Sequence, residues 1–322
     1  MSASRGTARR RVVALSGGIG GAKLALGLAR VVAPEDLLIV ANTGDDFEHL
    51  GLSISPDLDT LLYTLAGLND PVQGWGRRDE TWNFMRALSD LGGPDWFRLG
   101  DADLALHVER TRRLRAGEAL SAITADLAAR LGVGPRLLPA SDDPVRTRVE
   151  TAEGWLDFQD YFVRLRCAPV VRSLAFAGAA AARPQPELLD ALAAPDLRAV
   201  VICPSNPFIS VEPILAIPGV RGALRAADAP VVAVSPIIGG EAVKGPTAKI
   251  MRELGLDVSA ATVAARYADL LGLYVLDEAD AALARAVPVP AVVARTLMDT
   301  EASKVALARA VLRAADALGP RA

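Results

Sequence analysis

Apolar residues in this chain gather into short unbroken runs, set apart by polar, Gly- and Pro-rich punctuation. The clearest runs are "RVVALS" (Arg11 to Ser16), "DLLIVAN" (Asp36 to Asn42), "RAVVICPS" (Arg198 to Ser205), "PVVAVSP" (Pro230 to Pro236), "GLYVLDE" (Gly272 to Glu278) and "PAVVART" (Pro290 to Thr296). Runs without polar alternation predict strands covered on both faces, as in a parallel sheet. Helical spacing lies between several of them, over Lys23 to Val32 and Thr247 to Leu254. Strand–helix alternation of this kind predicts a Rossmann-like α/β fold, a doubly wound and mostly parallel sheet.

The pattern changes between about residues 60 and 195. From Thr60 to Gly132 it is helical, as in "ETWNFMRALSDL", "DADLALHVERTRRLRAG" and "LSAITADLAARLG". From Pro139 to Phe176 it alternates, as in "RTRVET" and "YFVRLR". This interval reads as an inserted helical and antiparallel segment covering the ligand edge of one α/β domain over residues 11–322, with a basic tail over 1–10. There is no internal repeat, and the Ala-rich stretches are ordinary helix formers.

Composition narrows the function. Apolar residues make up 51% of the 322, enough for a sizeable core, and the net charge is -3. That charge argues against a nucleic-acid partner held through phosphates. No apolar stretch reaches membrane-spanning length. Two cysteines, Cys167 and Cys203, are too few for a disulfide framework, so a reduced cytoplasmic setting is expected. Two histidines, His49 and His107, make no His-rich metal site, so any metal should be oxygen-bound.

Each strand-like run ends in a loop that can meet a ligand: "SGGIGG", "NTGDD", "PSNP", "SPIIGG". In open α/β sheets such carboxyl-end loops form the site. The first loop fits neither familiar phosphate motif. A dinucleotide fingerprint has Gly18 and Gly20 but Lys23 in the third glycine position, and a P-loop counted from Gly17 has Ala22 and Leu24 where Gly and Ser/Thr belong. The physics survives the mismatch. Strand, glycines and helix in succession present free N–H groups and a positive dipole end, and Lys23 adds a charge. A phosphate ligand is expected there.

The second loop, "ANTGDDFEHLGLSISPDLDTLLY", holds Asp45, Asp46, Glu48, Asp57 and Asp59. That is more acid than a ribose contact needs. Carboxylates beside phosphates suggest Mg²⁺, which takes few protein carboxylates and completes its shell with phosphate oxygens and water. For Asp57 and Asp59, N-capping of the helix that follows is the competing account.

Together these residues resemble the CofD-type transferases, the 2-phospho-L-lactate transferases of deazaflavin coenzyme (F-420) biosynthesis. The resemblance rests on "SGGIGGAKL", "NTGDD", "SPDLDTLLY", "WGRRDETW", "LGDADLALHVER", "PASDDPVRTRVET", "FQDYFV", "PSNPFISVEPIL", "SPIIGGEAVKGPTAK" and "DTEASKVALA", in order from Val12 to about Ala308. Ile19 stands where many relatives carry Thr. The resemblance implies transfer of a phospho-acid from a guanylyl-activated diphosphate to the ribityl hydroxyl of the deazaflavin Fo, with release of GMP, Mg²⁺ as cofactor and a homodimer as assembly.

Under that implication Gly18, Gly20, Gly21 and Lys23 cradle the diphosphate. Asp46 and Asp57 hold Mg²⁺, with Asp45 as a further candidate, and Asp46, Asp57 and Lys23 serve the chemistry. Ser205 and Asn206, with Ser235, Gly239 and Gly240, hold guanosine; alone, "PSNP" is equally a plain turn. His107 and Arg110 share a helix face, so Arg110 is a candidate cation for the acid's carboxylate, and a solvated face is the alternative. Lys244 sits in a glycine-flanked loop able to close over phosphate. Trp75, Trp82, Phe158 and Phe162 are candidates for the deazaflavin slot, or core. The rivals are a non-catalytic nucleotide-sugar-binding regulator of the related gluconeogenesis-factor group, and a nicotinamide dehydrogenase disfavoured by the missing third glycine. The three-carbon acid itself, lactate, enolpyruvate or glycerate, is beyond the residues.

Overall fold

A computed structural model describes residues 10–319. Apart from Arg10, the basic tail read over residues 1–10 lies outside the described residues. Strand β1 (Arg11–Ser16) leads into α1 (Gly18–Ala29), then β2 (Leu37–Ala41), the hairpin β3 (Phe47–His49) and β4 (Leu52–Ile54), and α2 (Pro56–Leu65). Helices α3 (Asn83–Asp90), α4 (Asp101–Arg115) and α5 (Leu120–Arg130) follow. After β5 (Arg136–Pro139) come β6 (Arg146–Thr151), β7 (Gly154–Asp157) and β8 (Ser173–Ala177), then α6 (Pro186–Leu192) and β9 (Leu197–Ile202). Next are α7 (Glu212–Leu215), α8 (Val220–Ala226), β10 (Val231–Val234) and the small ribbon β11 (Ile237–Ile238) and β12 (Glu241–Ala242). The chain closes with α9 (Thr247–Glu253), α10 (Ala260–Arg266), β13 (Leu273–Leu276), β14 (Ala291–Val293) and α11 (Glu301–Leu318).

All six of the apolar runs became strands of one seven-stranded sheet, in the order β14-β13-β10-β9-β1-β2-β5. Each pairing in it is parallel. Successive residues of a strand face opposite ways, and the core divides accordingly. Val13, Leu15, Val200 and Ile202 pack with α6, α8 and α10 on one face. Val12, Ala14, Ala199 and Val201 pack with α1, α2 and α11 on the other. Both faces being covered explains why these runs show no polar alternation.

The strand order reverses beside β1, since β2 follows on one side and β9 on the other. The loops after β1, β2, β9 and β10 therefore meet at a topological switch point, where open α/β sheets bind ligands.

The inserted segment departs from expectation in two places. The interval 60–195 is not one excursion: β5, read as its middle, returns to the main sheet and pairs with β2 through Leu38–Arg136 to Ala41–Pro139. Four residues ending in proline carry too little pattern to mark a strand, and proline is tolerated because β5 lies at the edge. The antiparallel part is a separate sheet, order β7-β6-β8, and "RTRVET" is its central strand. "YFVRLR", however, is no strand; Asp160–Arg164 forms a wide helical turn.

Two packing features hold the ligand edge. Helix α1 meets α11 at Gly27, where an added Cβ would lie 2.3 Å from the Lys304 carbonyl oxygen. On α4, Arg110 is 1% exposed and forms a two-pronged ion pair with Asp59 of α2, one prong being Nη1 to Oδ2 at 3.1 Å. His107 lies behind the pair, its Nε2 3.2 Å from Asp103, which also accepts from Tyr63 at 2.5 Å. This pair pins α4 beneath the acidic loop.

Gly27→Ala should lower stability by about 1–3 kcal/mol despite alanine's better helix propensity, because the helices must separate; a denaturant midpoint that stays or rises would refute the close approach. Arg110→Ala should cost about 3–5 kcal/mol by leaving Asp59 buried and unpaired, and Arg110→Leu combined with Asp59→Leu should recover much of that loss. Urea unfolding of the single and double variants measures both.

Candidate active site

A cavity of about 650 Å³ opens at the switch point. Its floor is the turn between β1 and α1. Gly18 has a φ of +61, a left-handed backbone that suits glycine. Gly20 comes so near the turn after β9 that a Cβ would sit 2.4 Å from the Pro204 carbonyl oxygen. Helix α1 begins at Gly18 itself, so the glycine turn is already the first turn of the helix. Gly18, Gly20 and Lys23 line the cavity. Gly21 does not; it is buried where a Cβ would strike the Ser16 and Ser205 hydroxyls at 2.5 Å. Lys23 makes no hydrogen bond or ion pair with a described residue, and burial, then Lys244 and Lys304, lower its proton affinity.

The acidic loop is organised by Asn42, a residue the sequence reading quoted within "NTGDD" but gave no role. Its Nδ2 donates to Asp57 Oδ2 at 2.9 Å, Asp45 Oδ1 at 3.1 Å and the Ile209 carbonyl at 3.1 Å. Its Oδ1 accepts from Gly44 N at 2.8 Å. Asp57 Oδ1 also accepts from Gly18 N at 2.7 Å. Neither Asp57 nor Asp59 caps α2, so the capping account fails for both.

Asp45 and Asp57 both line the cavity. Burial raises each carboxyl's pKa, and Asp57 raises that of Asp45 further; Asn42 pulls both partly back. Asp46 is turned elsewhere. It is absent from the cavity walls, accepts from the Ser55 hydroxyl at 3.0 Å, and keeps a buried Oδ1 without a partner. Burial pushes its pKa up to about 7, against the pull of Arg146 and Arg110. The three carboxylates expected to converge on a metal do not: among the described residues no group of three or more His, Cys, Asp or Glu is placed to hold an ion. The pair Asp45–Asp57 is a donor set of a different kind. Two adjacent carboxylates share one neutral amide with no cation between them, which suits a dication that takes its other ligands from phosphate and water.

Beyond β9, Ser205 Oγ accepts from Gly17 N at 3.1 Å, and Asn206 Oδ1 caps its own turn through Phe208 N at 2.9 Å. The plain-turn account of "PSNP" is therefore half right. The Asn206 Nδ2 is buried without a partner while the residue lines the cavity, so a donor remains for a ligand. Ser235 lines the cavity, but its hydroxyl is engaged with Ile237 N and O. Gly239 and Gly240 lie off the walls; they turn the β11–β12 ribbon with φ of +59 and +77, and Gly239 N donates to Asp280. His107 and Arg110 share a face, as the spacing predicted, but that face is turned inward onto Asp59. Neither lines the cavity. Helical periodicity places two residues on one side and cannot say which neighbour that side meets.

Part of the cavity wall is aromatic. Phe158 and Phe162 stack with centroids 5.3 Å apart and planes at 12°. Trp75 joins them on the wall, with Trp96 and Phe97, which the sequence reading passed over. Trp82 is not on the wall; it packs under Arg98, whose guanidinium lies 4.0 Å from its ring centre and itself reaches the cavity. Gln159 was missed as well: its amide donates to the Asp45 carbonyl at 3.1 Å, joining the aromatic wall to the acidic loop.

The family model described as "2-phospho-L-lactate transferase CofD" matches residues 12–316. A phosphoenolpyruvate transferase of Kitasatospora aureofaciens is 43% identical over 317 residues, covering 95% of this chain and 98% of that protein. One from Thermobifida fusca is 44% identical over 285 residues, covering 84% and 87%. Two crystal structures from Bacillus halodurans, one described as a member of the UPF0052 family, align with TM-scores of 0.59 and 0.61 at 15% and 17% identity, over 95% and 94% of this chain. They share its fold. Matched by the family over nearly its whole length, with the family's glycine turn and acidic loop meeting at one strand edge, this chain belongs to the CofD family of 2-phospho-L-lactate transferases.

Proposed function

We propose that this chain transfers an enolpyruvyl phosphate group from a guanylyl-activated diphosphate to the ribityl hydroxyl of the deazaflavin Fo. The observation that carries the reading is one cavity whose walls combine the glycine turn, Lys23 and a carboxylate pair with a set of aromatic rings. Enolpyruvate is favoured among the three-carbon acids by the similarity to phosphoenolpyruvate transferases. In this reaction the hydroxyl oxygen bonds to the phosphorus bearing the enolpyruvyl group. The bond from that phosphorus to the GMP oxygen breaks, GMP leaves with the electron pair, and the hydroxyl proton goes to solvent or a carboxylate.

Catalysis of this type is positioning and charge neutralisation. The α1 amides and Lys23 hold the diphosphate. Asn206 Nδ2 and the turn around it bind the guanosine end. The Phe158–Phe162 stack and Trp75 orient the deazaflavin ring, so its ribityl chain points back along the cavity. Asp45 and Asp57 hold Mg²⁺, held in turn by Asn42. When bound, the metal neutralises charge on the phosphates. Asp46 is no longer a ligand in this account; it braces the loop from beneath through Ser55. No helix among the described residues is long and apolar enough to cross a membrane.

Mass spectrometry of a mixture of protein, Mg²⁺, Fo and each guanylyl-activated acid should show product and GMP with the enolpyruvyl donor at the highest rate. A faster lactyl or glyceryl reaction would overturn the choice of acid, and nucleotide binding without turnover would move the chain to the regulator reading. Asp57→Asn should lower turnover by about 100-fold or more, on the scale of removing one element of transition-state charge stabilisation. Added Mg²⁺ should raise the melting temperature of the parent protein and leave that of Asp57→Asn unchanged; an equal rise in both would remove Asp57 from the metal site.

A further inference from the structure

Lys244 links the cavity wall to the loop that carries Gln73. It lies in the loop from β12 to α9, exposed and on the cavity wall. Its Nζ donates to the carbonyl of Gln73 at 3.2 Å. Gln73 belongs to a loop over residues 69–77 that is closed upon itself. The Asp70 carboxylate accepts from Val72 N at 2.7 Å, from Gln73 N at 2.9 Å and from Gln73 Nε2 at 3.0 Å. Gly74 N donates to the Asp70 carbonyl, and Asn69 bridges to Arg77. Among the described residues, the bond from Lys244 is the hydrogen bond that leaves the tip, residues 70–76. The tip also carries Trp75, 43% exposed, to the wall.

The same lysine faces the phosphate end. Lys244 is near enough to Lys23 to disfavour the charge on Lys23, and neither lysine has an ion pair with a described residue. At Gly74, with φ +79, a Cβ would lie 3.0 Å from Lys244 Nζ and 3.4 Å from the methyl carbons of Ile19, on the first turn of α1. The loop tip, Lys244 and the glycine helix thus converge. An ammonium has three donors; one is engaged with Gln73, and two remain for an anion between the lysines.

We propose that Lys244 is a second cation for the donor's diphosphate and that, through the Gln73 carbonyl, it draws the 69–77 loop shut over the cavity when the diphosphate is bound. The donor part of this statement rests on the function proposed above. With Trp75 on the moving tip, diphosphate occupancy and deazaflavin binding are linked, and the linkage is reciprocal.

Inorganic pyrophosphate with Mg²⁺ tests this on the full chain without relying on guanosine or Fo. Calorimetry gives affinity and amide hydrogen exchange reads the loop. Pyrophosphate should slow exchange across residues 69–77 in the parent protein. Lys244→Ala should bind it about tenfold more weakly, the scale of one hydrogen bond to a charged group, and lose the slowing. Gly74→Ala, which obstructs the approach without removing a charge, should lose the slowing and weaken binding by less than Lys244→Ala does. Slowing that survives in Lys244→Ala, unchanged affinity in that variant, or no slowing in the parent protein would each overturn the proposal. These outcomes are independent of the transfer assay: a protein that closes on pyrophosphate yet makes no product would refute the proposed reaction and leave the clasp standing.

Discussion

One side-chain amide, that of Asn42, is the constraint on which the site depends. Its two N–H groups serve three acceptors, Asp45, Asp57 and the Ile209 carbonyl, while its oxygen takes Gly44 N and its own backbone N–H reaches Ser16 O. The ends of β1 and β2, the start of α2 and the turn beyond β9 are thereby fixed to one point. A buried carboxylate pair is costly without hydrogen bonds. A neutral amide supplies them without cancelling the charge, so the pair stays electronegative and available. A lysine or arginine in the same place would hold the loop as well and abolish that property.

The cavity's polar and aromatic walls come from different parts of the architecture. Parallel strands deliver amides, helix starts and short polar loops at their carboxyl edge, and the polar wall is made of these. They deliver no flat apolar wall. The aromatic wall is built from excursions: the helical turn holding Phe162, the loop of Trp75, and the stretch of Trp96 and Phe97 that packs over Phe47 and His49. Gln159 ties the excursions back to the sheet edge through the Asp45 carbonyl. Polar and aromatic walls therefore keep a fixed relation even though they lie far apart in the chain.

This division also explains what was legible in the residues. Strands buried on both faces announce themselves as unbroken apolar runs, and the glycine turn and acidic loop at their ends are local in sequence. These were readable. The edge strand β5 was not, because four residues with a terminal proline carry no period. Orientation was not readable either. Asp45 and Asp46 are adjacent, and only packing decides that one faces the cavity while the other turns to Ser55. Arg110 looked like a ligand cation because nothing in its helix names Asp59 as the partner. Asn42 was hidden for a further reason: its role is to organise other groups, and no spacing rule marks a hub.

The bond from Gly18 N to Asp57 gives the glycine turn an occupant of its own. A carboxylate already sits on the first amide of the glycine helix, where an incoming anion would go. Any ligand for that amide must evict a resident competitor, and its apparent affinity is reduced by the share of molecules in which the amide is taken. Bare anions bear that penalty in full. A ligand that arrives with a divalent cation offers Asp57 somewhere else to go, so the turn favours metal-complexed phosphates over the free phosphate and carboxylate metabolites that crowd a cell.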